Sequence, residues 1–234
     1  MTLFKHRHFE YDIIIWAVRW YCKYGISYRE LEEMLSERGV YVDHTTLFRW
    51  VQRYAPEIEK RLRGYWKPSS GLSWQVDETY VKVKGKWVYL YRAIDKQGHT
   101  VDFYLSSRRN AKAAKRFLDK ALKGLKDWQC PSVINTDKAA SYGVAITALK
   151  EEGKCPEAVK HRQVKYLNNG VEADHGKLKR RINPVRGFKS MKTAYATIKG
   201  FEIMYMFKKG QFKIWQYGQG IAGEIRLITQ CLTN

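Results

Sequence analysis

Three acidic residues stand out for the chemistry they could do together. Asp77 lies in WQVDETYVKVKG, Asp137 in NTDKAASYG and Glu172 in NNGVEADHGKLKRR. Carboxylates that converge repel one another unless divalent cations sit between them. An all-oxygen ligand set suits a hard ion such as Mg2+, which keeps part of its water and binds substrate phosphate. Two such ions about 3.5–4 Å apart can activate a nucleophile and stabilise the leaving oxygen of an in-line phosphoryl displacement. On this expectation Asp77, Asp137 and Glu172 are at once the catalytic and the metal-ligating residues, with Mn2+ able to replace Mg2+.

Each acid also has an ordinary explanation. Asp77 could sit on a solvated edge strand. Asp137 could be a helix N-cap, a favoured place for Asp. Glu172 could pair with Lys179, seven residues on, in a surface salt bridge. Glu78 adds a complication, because strand alternation sends Asp77 and Glu78 to opposite faces and only one can serve a shared site.

The surroundings of Glu172 are strongly basic. From Lys160 to Lys192 ten residues are Lys or Arg, and only Glu172 and Asp174 are acidic. The whole chain of 234 residues carries 43 Lys and Arg against 23 Asp and Glu, a formal net charge of +20. Such a field concentrates polyanions, so nucleic acid is the first candidate partner. An anionic membrane surface is the weaker one, since no basic amphipathic anchor or lipidation signal is present. The charge is uneven: residues 1–66 hold eleven Lys and Arg against nine acids, so almost all of the excess lies beyond them.

Other classes fall away on composition. No apolar run reaches the ~18–20 residues that cross a bilayer. The start, MTLFKHRHFEYDIII, has an acidic break and no small-residue cleavage site, which argues against a signal peptide. Cys22, Cys130, Cys155 and Cys231 are scattered without a CxxC, which points to reduced thiols in a cytosol rather than zinc or a disulfide framework.

The elements that must position the acids follow from hydrophobic period. From Trp74 onward, WQVDETYVKVKG, KWVYLYRAID and HTVDFYLSS are rich in β-branched and aromatic residues and broken by Gly-containing turns, the pattern of a three-stranded antiparallel meander. A helix is expected over Ala111–Leu125, a short strand over Ser132–Thr136 running into Asp137, a helix over Ala140–Lys150, and a strand over 161–166. The helix bearing Glu172 comes next, with Glu172, His175, Gly176 and Lys179 on one stripe. Strands as a meander, then alternating with helices, describe an α/β domain: a mixed five-stranded sheet with flanking helices, in an order that resembles the ribonuclease H-like fold.

Ahead of it, residues 10–55 accommodate three amphipathic helices. The first repeats Ile13, Trp16, Ala17, Trp20 and Tyr24. The second opens on a capping box, Ser27 to Glu30, and Gly39 ends it. The third follows Asp43 as N-cap and buries Leu47, Trp50, Val51 and Tyr54. That leaves Thr45, Thr46, Phe48, Arg49, Gln52 and Arg53 outward, and hydroxyls, an amide and arginines are what base edges and phosphates require. A helix-turn-helix with 44–54 in the major groove is the resulting expectation, against the plainer reading of a three-helix bundle with a solvated face. Pro56 lies just past this helix, and KPSSGL at 67–72 reads as a linker. The expected organisation is an all-α helix-turn-helix domain over 1–66, the linker 67–72, the catalytic domain over 73–188, and a helical segment over 189–234. In that segment Met191, Ala194, Tyr195, Ile198, Phe201 and Tyr205 form a stripe expected to pack on the catalytic sheet, with a subunit interface as the alternative. A short last helix is expected over Glu224–Cys231.

Together with VRWYCKYGISYRELEEML and GFKSMKTAYATIKG, the stretches around Asp77, Asp137 and Glu172 resemble the Asp-Asp-Glu transposases of bacterial single-gene elements usually called insertion-sequence family six. The spacing of thirty-four residues between Asp137 and Glu172 is that of one branch of these enzymes. The resemblance covers nearly the whole chain; QFKIWQYGQG, after Lys208, matches least well. It implies a Mg2+-dependent DNA-strand transferase that binds the terminal inverted repeats of its element through the N-terminal helices. It further implies release of a 3′-OH at the element end, attack of that 3′-OH on target DNA, and a cointegrate product. Asp77, Asp137 and Glu172 would coordinate two Mg2+ ions, and Lys179 would contact DNA near the terminal base pairs. His175 and Arg180, beside it in sequence, join Thr45, Thr46, Arg49, Gln52 and Arg53 as candidate DNA contacts. The expected partners are double-stranded DNA and at least one further copy of the chain, acting in the bacterial cytoplasm at the nucleoid. Two other functions compete: a DNA-binding regulator on an inactive nuclease-like scaffold, and another two-metal nuclease such as a ribonuclease H or junction resolvase.

Overall fold

The computed structural model describes residues 3–5, 8–66, 73–164 and 168–233. The chain divides into two units, Lys67–Lys177 and Met1–Trp66 together with Leu178–Asn234. The expected linker 67–72 lies outside the described residues, as do 165 and 166 of the expected fifth strand.

In the first unit, strands β1 (Trp74–Val83), β2 (Lys86–Asp95) and β3 (Thr100–Ser106) form the meander. Lys84 and Gly85 close the β1–β2 hairpin with φ of 49° and 74°. Two consecutive positive φ values make a turn whose twist matches that of the flanking strands, and Gly meets the demand without strain. Helix α4 (Ala111–Leu122), strand β4 (Val133–Thr136), helix α5 (Ala140–Glu151) and strand β5 (Lys160–Gln163) follow, and then helix α6 (Asn169–Ile182). The sheet order is β3-β2-β1-β4-β5. β1 pairs antiparallel with β2 and parallel with β4, and β5 runs parallel to β4. This mixed five-stranded sheet with helices following β3, β4 and β5 is ribonuclease H-like. β1 is central, so the edge-strand explanation of Asp77 is excluded.

The two faces of the sheet are covered differently. Trp74, Val76, Tyr91 and Ala93 pack against Phe117 and Leu118 of α4 and Tyr142 of α5 in one apolar core. The opposite face receives the start of α6 through polar contacts. The Gln75 side-chain oxygen accepts the Val171 N–H at 3.2 Å. Buried Arg92 pairs with Asp174 at 2.7 Å, and the Asn168 side-chain amide donates to the Val76 carbonyl at 3.2 Å. Gly170 is tight against Gln75, since an added Cβ would come within 2.5 Å of Gln75 Oε1.

The second unit contains α1 (Tyr11–Tyr24), α2 (Tyr28–Ser36), α3 (His44–Leu62), α7 (Met191–Lys208) and α8 (Gly220–Thr233). The Ser27–Glu30 capping box forms as its sequence predicts. Asp43 caps α3, accepting from the backbone N–H groups of Thr45 and Thr46. Leu47, Trp50, Val51 and Tyr54 are buried. Pro56 does not end α3, which runs on to Leu62 because Ala55, Ile58 and Leu62 prolong the buried stripe. Their burial, about 1.5–3 kcal/mol for each large aliphatic side chain, offsets the ~3 kcal/mol that an interior proline costs.

Two expectations about the C-terminal segment need correction. The boundary falls within α6, after Lys177, rather than at 188. Residues 189–234, expected on the catalytic sheet, pack on α1 and α3 within their own unit. Helix α7 is buried on nearly all sides, and Gly200 lets it approach closely: a Cβ there would meet Cys22 Sγ at 2.5 Å and Ala55 Cβ at 2.9 Å. Helix α8 is tied to α1 by Glu224, which accepts from Arg19 at 2.6 Å and Lys23 at 2.7 Å.

Candidate active site

Strand alternation separates Asp77 and Glu78 as expected. Asp77 points to the α6 face, with His175 Nδ1 3.8 Å from its Oδ2. Glu78 points to the opposite face, accepting the Tyr142 hydroxyl and pairing with Arg109. The same guanidinium lies 3.6 Å from Asp137. Asp137 sits at the carboxyl end of β4, where ligand crevices form in open sheets. It is not the N-cap of α5, which is Ala139 without a side-chain cap. Instead the Asp137 carboxylate accepts the Ala139 N–H at 3.0 Å, which fixes its aim. Glu172 lies exposed in the first turn of α6, and it makes no ion pair with Lys179 or any other described residue within the distance of a salt bridge.

The electrostatics single out Asp77. Burial raises its carboxyl first, and the neighbouring charge of Glu78 adds to this, partly offset by a backbone hydrogen bond. Asp137 and Glu172 raise it further, and the result is a carboxyl pushed up to about 7. Asp137 and Glu172 are thus each within electrostatic reach of Asp77. Glu78 has a different fate. Burial opposes a positive Arg109, but the charge and hydrogen bond of Glu78, with Tyr80 and Asp137, together outweigh it and lift that guanidinium further. The Tyr142 hydroxyl is raised well above its usual range by burial and then by Glu78.

Among the described residues, no three His, Cys, Asp or Glu side chains form a group ready to hold a metal ion. Nor are the three acids uniformly buried: the Asp77 side chain is 17% exposed, that of Asp137 33%, and Glu172 is at the surface. The donor set nevertheless fits a hard divalent cation. Every candidate ligand oxygen is a carboxylate, and the repulsion felt by Asp77 is the kind a cation relieves.

The candidate DNA contacts divide in a similar way. Arg49 and Arg53 are exposed on α3, as is Thr45, and Arg180 is exposed on α6. The Thr45 and Thr46 hydroxyls donate to Asp43 and hold its carboxyl well below the usual range. Gln52 does not face outward. It donates to Thr197 Oγ1 of α7 at 2.8 Å, because α7 covers that side of α3. His175 is buried beside Asp77, so packing against the acid rather than an exposed DNA contact describes it here. Lys179 is half-buried. The sequence reading missed Arg109 and Tyr142. Only the three-dimensional pairing of Glu78 reveals them, since RRN at 108–110 looks like ordinary loop charge.

Comparison with known proteins settles the family. A family model described as a DDE domain matches residues 71–211. A transposase for the insertion sequence-like element IS431mec of Staphylococcus aureus is 39% identical over 238 residues, covering 97% of this chain and 99% of that protein.

This chain belongs to the DDE transposases of insertion-sequence family six.

The transposase for insertion sequence element IS257 in transposon Tn4003 of Staphylococcus aureus has the same identity over the same length. Among solved structures, the transposase is similar to the magnesium-bound catalytic core of the HTLV-2 integrase, at 19% identity and a TM-score of 0.37, over 47% of this chain and 68% of that one. As a DDE transposase it is a polynucleotidyl transferase.

Proposed function

We propose that this transposase binds the terminal inverted repeats of its element and, with Mg2+, cuts the element ends and joins them to target DNA to form a cointegrate. The observation that carries this reading is the Asp77 carboxyl, raised to about 7 by burial and by the charges of Glu78, Asp137 and Glu172. A protein gains nothing for its own stability by crowding acids around a buried acid. The arrangement makes sense where a cation and a phosphate complete it. Asp77, Asp137 and Glu172 would hold two Mg2+ ions, with Mn2+ as a substitute. Bound there, the ions would supply Lewis acidity and charge compensation at the scissile phosphate.

The remaining roles belong to the chain. The Ala139 N–H and Arg109 fix the direction of Asp137, and His175 backs Asp77. Arg49 and Arg53 of α3, with Thr45, read the repeat, while Lys179 and Arg180 hold the DNA backbone near the element end. The unit acting on DNA is a homodimer or larger, since two ends must be joined. No helix among the described residues is long and apolar enough to cross a membrane, and the bacterial cytoplasm, at the nucleoid, is the expected place of action.

Strand transfer in vitro, with labelled inverted-repeat ends, a target plasmid and Mg2+, tests the reading. Asp137→Asn and Glu172→Gln should each abolish joining and leave end binding nearly intact. Joining that survives either substitution removes the catalytic assignment. Arg49→Ala should weaken binding to the repeat far more than to random DNA, and equal losses would exclude base reading by Arg49. Binding should also fall steeply with salt, with a slope of roughly 0.9 per phosphate neutralised.

A further inference from the structure

The β1–β2 hairpin carries an aromatic and cationic strip for which the three acids give no account. Cross-strand register places Tyr80 opposite Tyr89 and Lys82 opposite Trp87. All four therefore project from the same sheet face as Glu78. The Tyr80 and Trp87 ring centroids are 6.4 Å apart and steeply inclined, and those of Tyr80 and Tyr89 are 5.5 Å apart. Tyr80 is 46% exposed and Trp87 62%. A tryptophan held mostly in water by a tight hairpin leaves a large apolar surface without a partner.

Two observations indicate what covers it. First, the strip shares its face with Glu78 and leads through Arg109 to one acid of the candidate centre, Asp137, while Asp77 points to the other face. Tyr80 lies within electrostatic range of Arg109, and Arg109 reaches both Glu78 and Asp137. Second, its free charge is all of one sign. Lys82 is exposed beside Trp87 on the same face and Lys84 is exposed at the turn, and neither Thr79–Ile94 nor Phe103–Leu118 contains an acid. Aromatic rings interleaved with lysines match nucleic acid, which offers base faces and phosphates together. A second copy of so basic a surface would instead meet like charge. A ring can stack on a base only where that face is free of its neighbour, so the strip suits nucleotides that have left the duplex, as those flanking a broken strand have.

We propose that the β1–β2 hairpin is a DNA subsite in which Trp87 and Tyr80 stack on unpaired bases flanking the scissile phosphate, while Lys82 and Lys84 hold their backbone. The assignment rests on the function proposed above, since it places the same DNA substrate on the strip.

The test compares two labelled probes on the full chain by fluorescence anisotropy at one fixed salt concentration: a blunt random-sequence duplex, and the same duplex with a short single-stranded 3′ extension. The wild type should prefer the extended probe. Trp87→Ala and Tyr80→Ala should each weaken binding to it about tenfold, the usual scale of one lost base stack, and leave the blunt probe unchanged. Trp87→Phe should keep most of the preference. Unchanged binding of both probes by Trp87→Ala would overturn the proposal, and so would an equal loss on both. A lowered sedimentation coefficient with DNA binding intact would also overturn it, by assigning the strip to a second copy. Asp137→Asn separates this proposal from the catalytic one: it should retain the preference for the extension while losing joining. If Asp137→Asn joins normally, the catalytic assignment fails while the stacking result stands.

Discussion

The two faces of strand β1 treat neighbouring acids in opposite ways. Glu78 is buried, accepts a tyrosine hydroxyl and holds an arginine, so its charge is answered from within the protein. Asp77, one residue earlier, looks across at α6, where the nearest cationic candidate is a histidine 3.8 Å away. Its carboxyl is pushed up rather than down. One acid is spent on holding strand and helices together. The other is kept at an energetic disadvantage, the mark of a group whose partner comes from outside the chain.

Substitution at the two positions should separate these roles sharply. Asp77→Asn should lower strand joining by at least about 10²-fold, the scale on which a precisely placed charge-stabilising group acts. It should also raise the melting temperature of the metal-free protein near neutral pH, because it removes a disfavoured charge. Glu78→Gln should do the reverse to stability. It should cost about 1–3 kcal/mol by weakening a buried, charge-assisted set of hydrogen bonds, read by urea unfolding. If Asp77→Asn destabilises the protein as much as Glu78→Gln does, the contrast between the faces is lost.

Acidity sharpens the comparison further. The folded protein holds a proton on Asp77 up to about pH 7, whereas an unfolded chain releases it near ~4. Between those values the native state binds more protons, so this group's contribution to stability falls as pH rises through the window. Above pH 7 the metal-free protein should therefore gain stability on adding Mg2+, and Asp77→Asn should gain much less. Differential scanning fluorimetry at pH 6 and pH 8 reads both. A smaller effect belongs to Gly170. An alanine there would push on the Gln75 amide, but that amide is the far end of a flexible side chain, and alanine favours helix over glycine by up to ~1 kcal/mol. Gly170→Ala should shift unfolding by less than about 1 kcal/mol.

Much of the sheet was legible from the sequence, because a period of two, Gly-containing turns and β-branched residues leave few alternatives. Even the opposed directions of Asp77 and Glu78 follow from pleating alone. Helices α2 and α3 were legible for the same local reason, through the Ser27 capping box and the Asp43 cap, whereas α1 forms but buries Ile14, Val18, Tyr21 and Cys22 and leaves Trp16 and Tyr24 of the expected stripe exposed. What escaped was long-range. Gln52 reads as an outward residue until α7 covers it, and nothing local in α3 records a helix some 140 residues further on. The all-round apolar character of α7 fits burial anywhere, so nothing local singles out α1 and α3 as its neighbours. Pro56 carried a breaker signal that burial of Ile58 and Leu62 overrode. In the candidate site, residue types and spacing pointed to the acids, but the pairing of Arg109 with both Glu78 and Asp137 depends on a loop whose path the sequence does not encode legibly.

The wedge at Gly200, with Cys22 on one side and Ala55 on the other, has a consequence for how the enzyme is made. A ribosome emits α1 and α3 long before α7, so their shared apolar face waits unfilled while the entire sheet is synthesised and folds. A chain cut short by a frameshift before α7 would be left with a sticky, incomplete bundle and would be a poor competitor for element ends. Premature termination should thus yield protein for the proteases rather than a dominant inhibitor of transposition.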